Sequence, residues 1–338
     1  MLSAAAPSDR RAIVAPASRQ GYCARKGNNA GGFMFRLGVG AVCAALLCGS
    51  LIGGPAFAKD CTRHRLQAAV DSYIAAQTKG DPSLMALASP FKYVENRKDA
   101  DLEASVLKSP QKIDFHRSLF DTKACETFTE VIITDPAHPY VLGINLRLKG
   151  HKIAAIHALV TDEGDWFFSP ASALKYSPAE DWGVIPKKKR DSRETLRAAA
   201  NAYLDRFSDK TVQVPWGTPC RRLEGGLYFG TGAPDDSCNV GVPDNVPITE
   251  RHFVVDPDIG AVVGLVLFGA QSDAAGLPDS HLFRVEGGKL RFVHTITVCS
   301  TFNCGFPLPK QLGGTGELRS PAQGFGTQAG AQAQPKAP

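Results

Sequence analysis

The sequence predicts an α+β protein made of two tandem copies of one unit, each a helix followed by antiparallel strands. Three observations carry this. Leu66, Ala69, Val70, Tyr73, Ile74 and Gln77 recur at helical spacing and stop at Lys79-Gly80-Asp81-Pro82, a start-and-stop pattern for one amphipathic helix. Strand-like runs follow at 92–95, 128–134, 140–148 and 152–161, with Gly, Pro and Asp between them. Helices first and strands after is the α+β order. Finally, the organisation recurs. Leu66-Gln-Ala-Ala-x-x-x-Tyr73 returns as Leu196-Arg-Ala-Ala-x-x-x-Tyr203 at an offset of 130. Leu146-Arg147-Leu148-x-Gly150-x-Lys152-Ile153-x-x-x-His157 returns as Phe283-Arg284-Val285-x-Gly287-x-Lys289-Leu290-x-x-x-His294 at an offset of 137. Two matches in the same order with so little drift indicate duplication.

In chain order, residues 1–58 read as a leader. Ala41 to Leu47 is an apolar run after Arg36, and Pro55-Ala-Phe-Ala58 supplies an A-x-A cleavage site, so the mature chain is expected to start at Lys59. Met34, just ahead of Arg36, is an alternative start that would leave residues 1–33 outside the protein. The apolar run is too short for a transmembrane helix, so no stable membrane anchor is expected. The leader holds six of the 38 basic residues and one of the 33 acidic ones, which leaves 32 of each in the mature chain. A neutral protein gives no argument for nucleic acid or an anionic membrane surface. Lys187-Lys188-Lys189-Arg190 is a solvated run with no aromatic residue interleaved.

The first copy spans 59–169, with a short second helix expected at Ser83–Ala88. Residues 170–190 form a linker with Pro170, Pro178, Pro186 and the basic run, docked through Trp182 and Ile185. The second copy spans 191–304. It carries a distinctive loop, Val214 to Gly226 (VPWGTPCRRLEGG), and a strand pair, 251–256 and 261–268. Residues 305–338 turn into Gly, Gln, Ala and Pro and are expected to be a disordered tail. Six of the nine cysteines lie in the mature part, an even number that suits disulfides in an exported chain. Pairing in sequence order, Cys61 with Cys125, Cys220 with Cys238 and Cys299 with Cys304, keeps each bridge within one copy. No C-x-x-C pair supports zinc.

Pro278 to Cys299 reads as a hairpin turning at Gly287-Gly288. With Glu286 opposite Lys289, simple counting sets Val285 against Leu290, Phe283 against Phe292 and His281 against His294. Asp279 then shares their face. Two imidazoles and a carboxylate converge, with Phe283, Phe292, Trp216, Glu224 and Tyr228 as lining. An imidazole with a pKa near 6.5 beside a carboxylate can move a proton near neutral pH. The alternative uses are a hydrogen-bonded structural pair or a two-His, one-Asp metal face. His157, counted to face Ile144, lacks a histidine partner, which places activity in the second copy. The chain has no G-x-S-x-G, G-x-G-x-x-G or P-loop, so neither a serine nucleophile nor a nucleotide cofactor is expected.

The repeated L-x-A-A-x-x-x-Y helix and K-[IL]-x-x-x-H strand resemble the nuclear transport factor 2-like, or SnoaL-like, cone fold in tandem, in which helices pack on a strongly curved antiparallel sheet. PWGTPCRRLEGG, GLPDSHLFRVEGGKLRFVHTITVC and KIDFHRSLFDTKACETF are also similar to an exported, functionally uncharacterised family of fungi and bacteria. Together the resemblances cover nearly all of residues 60–300. They imply a periplasmic or extracellular protein acting on a small organic molecule. The expected activity is a cofactor-independent lyase, dehydratase or isomerase that uses His294, His281 and Asp279; the alternative is a non-catalytic binding module of the same fold.

Overall fold

The structure is a computed structural model and describes residues 61–239, 242–269 and 275–314. The leader (1–58) and residues 315–338 of the expected tail lie outside the described residues. The opening helix, α1 (Arg63–Lys79), buries the predicted stripe of Leu66, Ala69, Val70, Tyr73 and Gln77. Thr62 caps its N-terminus and Gly80 ends it in the left-handed region at φ 65°. Alanine at Gly80 would set a Cβ 2.7 Å from Pro110. The second helix expected at Ser83–Ala88 is instead one 3₁₀ turn, Pro82–Leu84, because the chain enters a strand at Leu87.

Twelve strands follow: β1 (Leu87–Glu95), β2 (Lys98–Asp99), β3 (Phe115–Asp121), β4 (Glu126–Ile133), β5 (Tyr140–Lys149), β6 (Lys152–Thr161), β7 (Trp216–Glu224), β8 (Leu227–Phe229), β9 (Ile248–Asp256), β10 (Ala261–Phe268), β11 (Leu277–Glu286) and β12 (Lys289–Thr297). They make two six-stranded sheets with the same permuted order, β2-β1-β6-β5-β4-β3 and β8-β7-β12-β11-β10-β9. The fold is thus α+β, and its two halves repeat strand for strand. The expected all-antiparallel sheets are corrected to mixed ones: β1 runs parallel to β6, and β7 to β12. In each half the first strand crosses over to lie beside the last, so the two point the same way. The segment read as a loop at Val214–Gly226 contains strand β7.

Strand alternation sorts the apolar residues into three layers. One face of the first sheet packs under α1 through Val131, Leu142, Ile144, Leu146 and Ile156. In the second half α3 (Arg193–Asp205) covers Val262, Val266, Phe283, Val285 and Val293. The opposite faces of the sheets meet back to back in a shared layer that includes Leu119, Phe128, Leu159, Val254, Val263, Leu282 and Ile296. A reciprocal clasp joins the edge strands. Arg63 Nη1 donates to Asp256 Oδ1 at 2.8 Å, and Arg193 Nη2 donates to Asp121 Oδ2 at 2.6 Å. Each aspartate also crosses sheets to accept a backbone N–H, Asp256 from Phe120 and Asp121 from Val255, at 2.9 Å in both cases.

Residues 170–190 hold α2 (Pro170–Tyr176), and Trp182 and Ile185 are buried. The three disulfides join Cys61 to Cys125, Cys220 to Cys238 and Cys299 to Cys304, as sequence order predicts. Within the last bridge Asn303 is buried and accepts from Phe167 N–H at 2.7 Å, and of the expected tail residues 305–314 are described, with one 3₁₀ turn at Lys310–Leu312. Among the described residues no helix is long and apolar enough to cross a membrane.

Candidate functional site

The face of the second sheet that looks toward α3 is apolar at one end and polar at the other. β7 places Arg222 and Glu224 there, β11 places Asp279 and His281, and β12 places Thr295 and Thr297; Tyr203 comes from α3. The register supports this grouping, with Glu224 opposite Thr295, His281 opposite Thr295 and Asp279 opposite Thr297. All seven are buried. Five of them, Arg222, Glu224, His281, Thr295 and Thr297, line a small cavity of about 30 Å³ together with Trp166, Phe207, Phe268 and Leu277.

Within this cluster Asp279 Oδ2 sits 2.9 Å from His281 Nδ1, and Asp279 Oδ1 accepts from Thr297 Oγ1 at 3.0 Å. Arg222 forms an ion pair with Glu224, and its guanidinium lies 5.9 Å from the Tyr203 ring centre. Burial lowers the Arg222 pKa, partly offset by Tyr203, and burial raises that of Tyr203. His281 is walled by Tyr203, Phe207, Phe268 and Phe283, with ring centres 5.6–6.4 Å away. Tyr203 Oη, Arg222 Nε and Thr295 Oγ1 are buried with no partner, while Glu224 Oε1, Asp279 Oδ2 and His281 Nδ1 have only their ion-pair contacts, Glu224 to Arg222 and Asp279 to His281. Each such group costs about 1–3 kcal/mol unless something satisfies it.

The duplication supplies an internal control. At the matching positions of the first sheet stand Tyr93, Glu95, Leu142, Ile144, Ala158 and Val160, as the shared register requires. There the polar atoms find partners: Tyr93 Oη donates to Glu95 at 2.7 Å, and Tyr73 Oη donates to Gln77 at 3.2 Å. The same architecture therefore carries partnered polar groups among apolar ones in the first half and a cluster with unpartnered atoms in the second.

The predicted pairing of His281 with His294 is corrected. Arg291 is an extra residue in β12, so past Val285–Leu290 the register slips by one. Arg284 faces Phe292, Phe283 faces Val293, Leu282 faces His294 and His281 faces Thr295. A one-residue slip turns side chains to the other face. His294 and Phe292 thus lie in the layer between the sheets, away from His281, Asp279 and Phe283, and the two-His, one-Asp metal face is not assembled. Among the described residues no group of three or more His, Cys, Asp or Glu could hold a metal. The same bulge in β6 sets His157 against Asn145 rather than Ile144. Of the predicted lining, Glu224 borders the cavity. Phe283 walls His281, and Trp216 meets Tyr203 edge-on at 5.7 Å. Tyr228 stacks on Tyr176 at 4.0 Å and belongs to the inter-sheet layer.

His294 has a full set of partners of its own. Its Nε2 lies 2.6 Å from Glu180 Oε2, and its Nδ1 lies 3.1 Å from Glu130 Oε1. Arg117 donates to Glu130 at 3.1 Å, and Trp182 Nε1 donates to Glu180 at 2.9 Å. Burial alone would lower the imidazole pKa, but the two carboxylates raise it to about 9. Two acceptors on both ring nitrogens require both to donate, so this ring is a charged structural centre.

Arg222, Thr295, Thr297 and Tyr203 were missed from sequence. Their signal was present: Arg222-Leu223-Glu224 before Gly225-Gly226 reads as half of a second Gly-Gly hairpin, and β7–β8 is that hairpin. Residues 189–297, which run from just before α3 to the end of β12, match a family described as a domain of unknown function (DUF8021). No curated protein matches the chain.

Proposed function

We propose that the α3-facing cluster of the second half binds a small polar organic molecule and moves a proton on it through His281, without a cofactor, as a lyase, dehydratase or isomerase does. The observation that carries this reading is the buried polar cluster of Tyr203, Arg222, Glu224, Asp279, His281 and Thr295 at one cavity, in which Tyr203 Oη, Arg222 Nε and Thr295 Oγ1 have no partner, on a face whose counterpart in the other copy is largely apolar. Asp279 at Nδ1 holds the ring tautomer, leaving Nε2 to take a proton from carbon next to a carbonyl. Arg222 receives the charge that develops on the carbonyl oxygen, and Tyr203 or Thr295 returns a proton to the product. This transfers the role first expected of His294 to residues of the same cavity as His281. In this reading the two halves are tandem cones of the nuclear transport factor 2-like kind, about 59–169 and 191–304. The three disulfides support an exported protein.

One observation favours a second reading. A cavity of about 30 Å³ has room for about two waters, which suits a binding module that opens onto its ligand better than a preformed substrate pocket. Screening the mature chain against lignin-derived aromatics and uronic or keto sugars separates the two. Turnover that falls about 10² to 10⁴-fold in His281→Gln supports proton transfer. Turnover unchanged by that substitution removes His281 from the chemistry, and binding without turnover selects the module.

A further inference from the structure

A second and larger cavity, about 300 Å³, lies between the two sheets and shares only Asp279 with the cluster around His281. Val94, Leu159 and Leu265 give it an apolar floor, while Arg147, His157 and His252 stand on its walls. The walls come from β5, β6 and β9, so both halves are needed to form it.

The hydrogen bonds within this cavity are one-sided. Arg147 spends only its Nε on protein, 3.1 Å from Asn145 Oδ1 and 3.6 Å from Glu126 Oε2, and both Nη groups have no partner among the described residues. The half-buried His157 ring likewise has no hydrogen-bond partner among them. His252 uses Nε2 on Glu126, at 2.7 Å. The acids nearby are already engaged: Asp99 with Lys92 at 2.8 Å, Glu250 with Arg97, Glu126 with His252, and Asp279 with His281 and Thr297. What stays free is a guanidinium fork with an imidazole beside it, facing a space of ligand size.

We propose that this inter-sheet cavity binds the carboxylate of a small organic acid, gripped by Arg147 with His157 and His252 alongside. A planar fork with two free Nη groups matches a carboxylate in bidentate fashion. A dianion such as phosphate fits less well, because Glu126, Asp99, Glu250 and Asp279 stand close enough to repel a second charge. The apolar floor suits the carbon skeleton of a six- or seven-carbon acid, and the volume is at the lower end for small-molecule sites.

Binding of the acid and protonation of His157 are linked. Burial, with Arg147 and then His252 and Lys92 adding to it against Glu126, lowers the His157 pKa to about 4, so the free site holds a neutral ring. A bound carboxylate offsets those cations and raises that pKa, so the complex takes up protons and affinity rises as pH falls. The test is calorimetric titration of the mature chain with benzoate and galacturonate, with benzyl alcohol and galactose as uncharged counterparts, at pH 7.5 and 5.5. The expected result is binding of at least one acid, no binding of its neutral counterpart, and tighter binding at pH 5.5. Arg147→Gln should weaken it about 10 to 100-fold, the scale of a charge-assisted hydrogen-bond pair. The half-exposed Arg147 site tolerates this change without unfolding, which circular dichroism checks. No binding of either acid at tens of millimolar, equal binding of the neutral counterparts, or an affinity unmoved by Arg147→Gln overturns the proposal.

Discussion

Replacing His294 with glutamine removes the positive charge that lies between Glu130 and Glu180 in the layer joining the sheets. Both carboxylates are buried, and with the imidazolium gone Arg117 is left as the cation bonded to Glu130. Breaking a buried ion pair by deleting one partner costs about 3–5 kcal/mol, because a charge is left uncompensated. The dependence on pH is a second, independent reading. The folded pKa of His294, about 9, lies above its ordinary 6.5, so protonated His294 contributes its full stability below about pH 6.5. That contribution disappears as pH rises through 9, and a difference of this size corresponds to about 3 kcal/mol. Urea unfolding of the mature chain at pH 6, 7.5 and 9.5 should show the wild type losing that amount. His294→Gln should be destabilised at pH 6 and change far less across the range. A variant within about 1 kcal/mol of the wild type at pH 6, or a wild type equally stable at pH 6 and 9.5, would refute a charged structural histidine.

Two further outcomes follow from the packing. Asp121→Asn and Asp256→Asn each weaken one arm of the inter-sheet clasp, and each should cost about 2–3 kcal/mol in urea unfolding, since a buried charge-assisted bond is lost while its arginine remains. A loss under 0.5 kcal/mol in both would show that the clasp is incidental. Removing Cys61–Cys125 as a double alanine variant should cost about 4 kcal/mol and removing Cys299–Cys304 about 2, the ratio set by closed loops of 64 and 5 residues. Equal losses would place the effect in native contacts rather than in chain entropy.

The duplicated architecture was legible because its signals are local. The L-x-A-A-x-x-x-Y stripe lies on α1 and again on α3, and the Gly-Gly turn sits between β11 and β12. The crossover that sets β1 parallel to β6 leaves no such local mark, since it depends on which strand edge is free when the chain returns. Site reading failed at one residue. Counting pairs from Gly287-Gly288 assumes an unbroken ladder, and the bulge at Arg291 moves every later side chain of β12 to the other face. His281, Asp279 and Glu224 keep their places because they lie on β11 and β7, while His294 and Phe292 exchange one environment for another. The partners of His294, Glu130 and Glu180, come from 164 and 114 residues away, a distance over which periodicity carries no information.

The most direct test of the functional claim is a crystal structure of the mature chain with the tightest ligand from the aromatic and sugar screen. The account predicts a ligand between Arg222, Glu224 and His281, with a polar atom in hydrogen-bond reach of His281 Nε2 and with Tyr203 Oη, Arg222 Nε and Thr295 Oγ1 paired to the ligand or to waters around it. Density for the ligand on the first sheet's equivalent face, beside Glu95 and Ile144, or an interior around His281 unchanged by a ligand that is turned over, would contradict it.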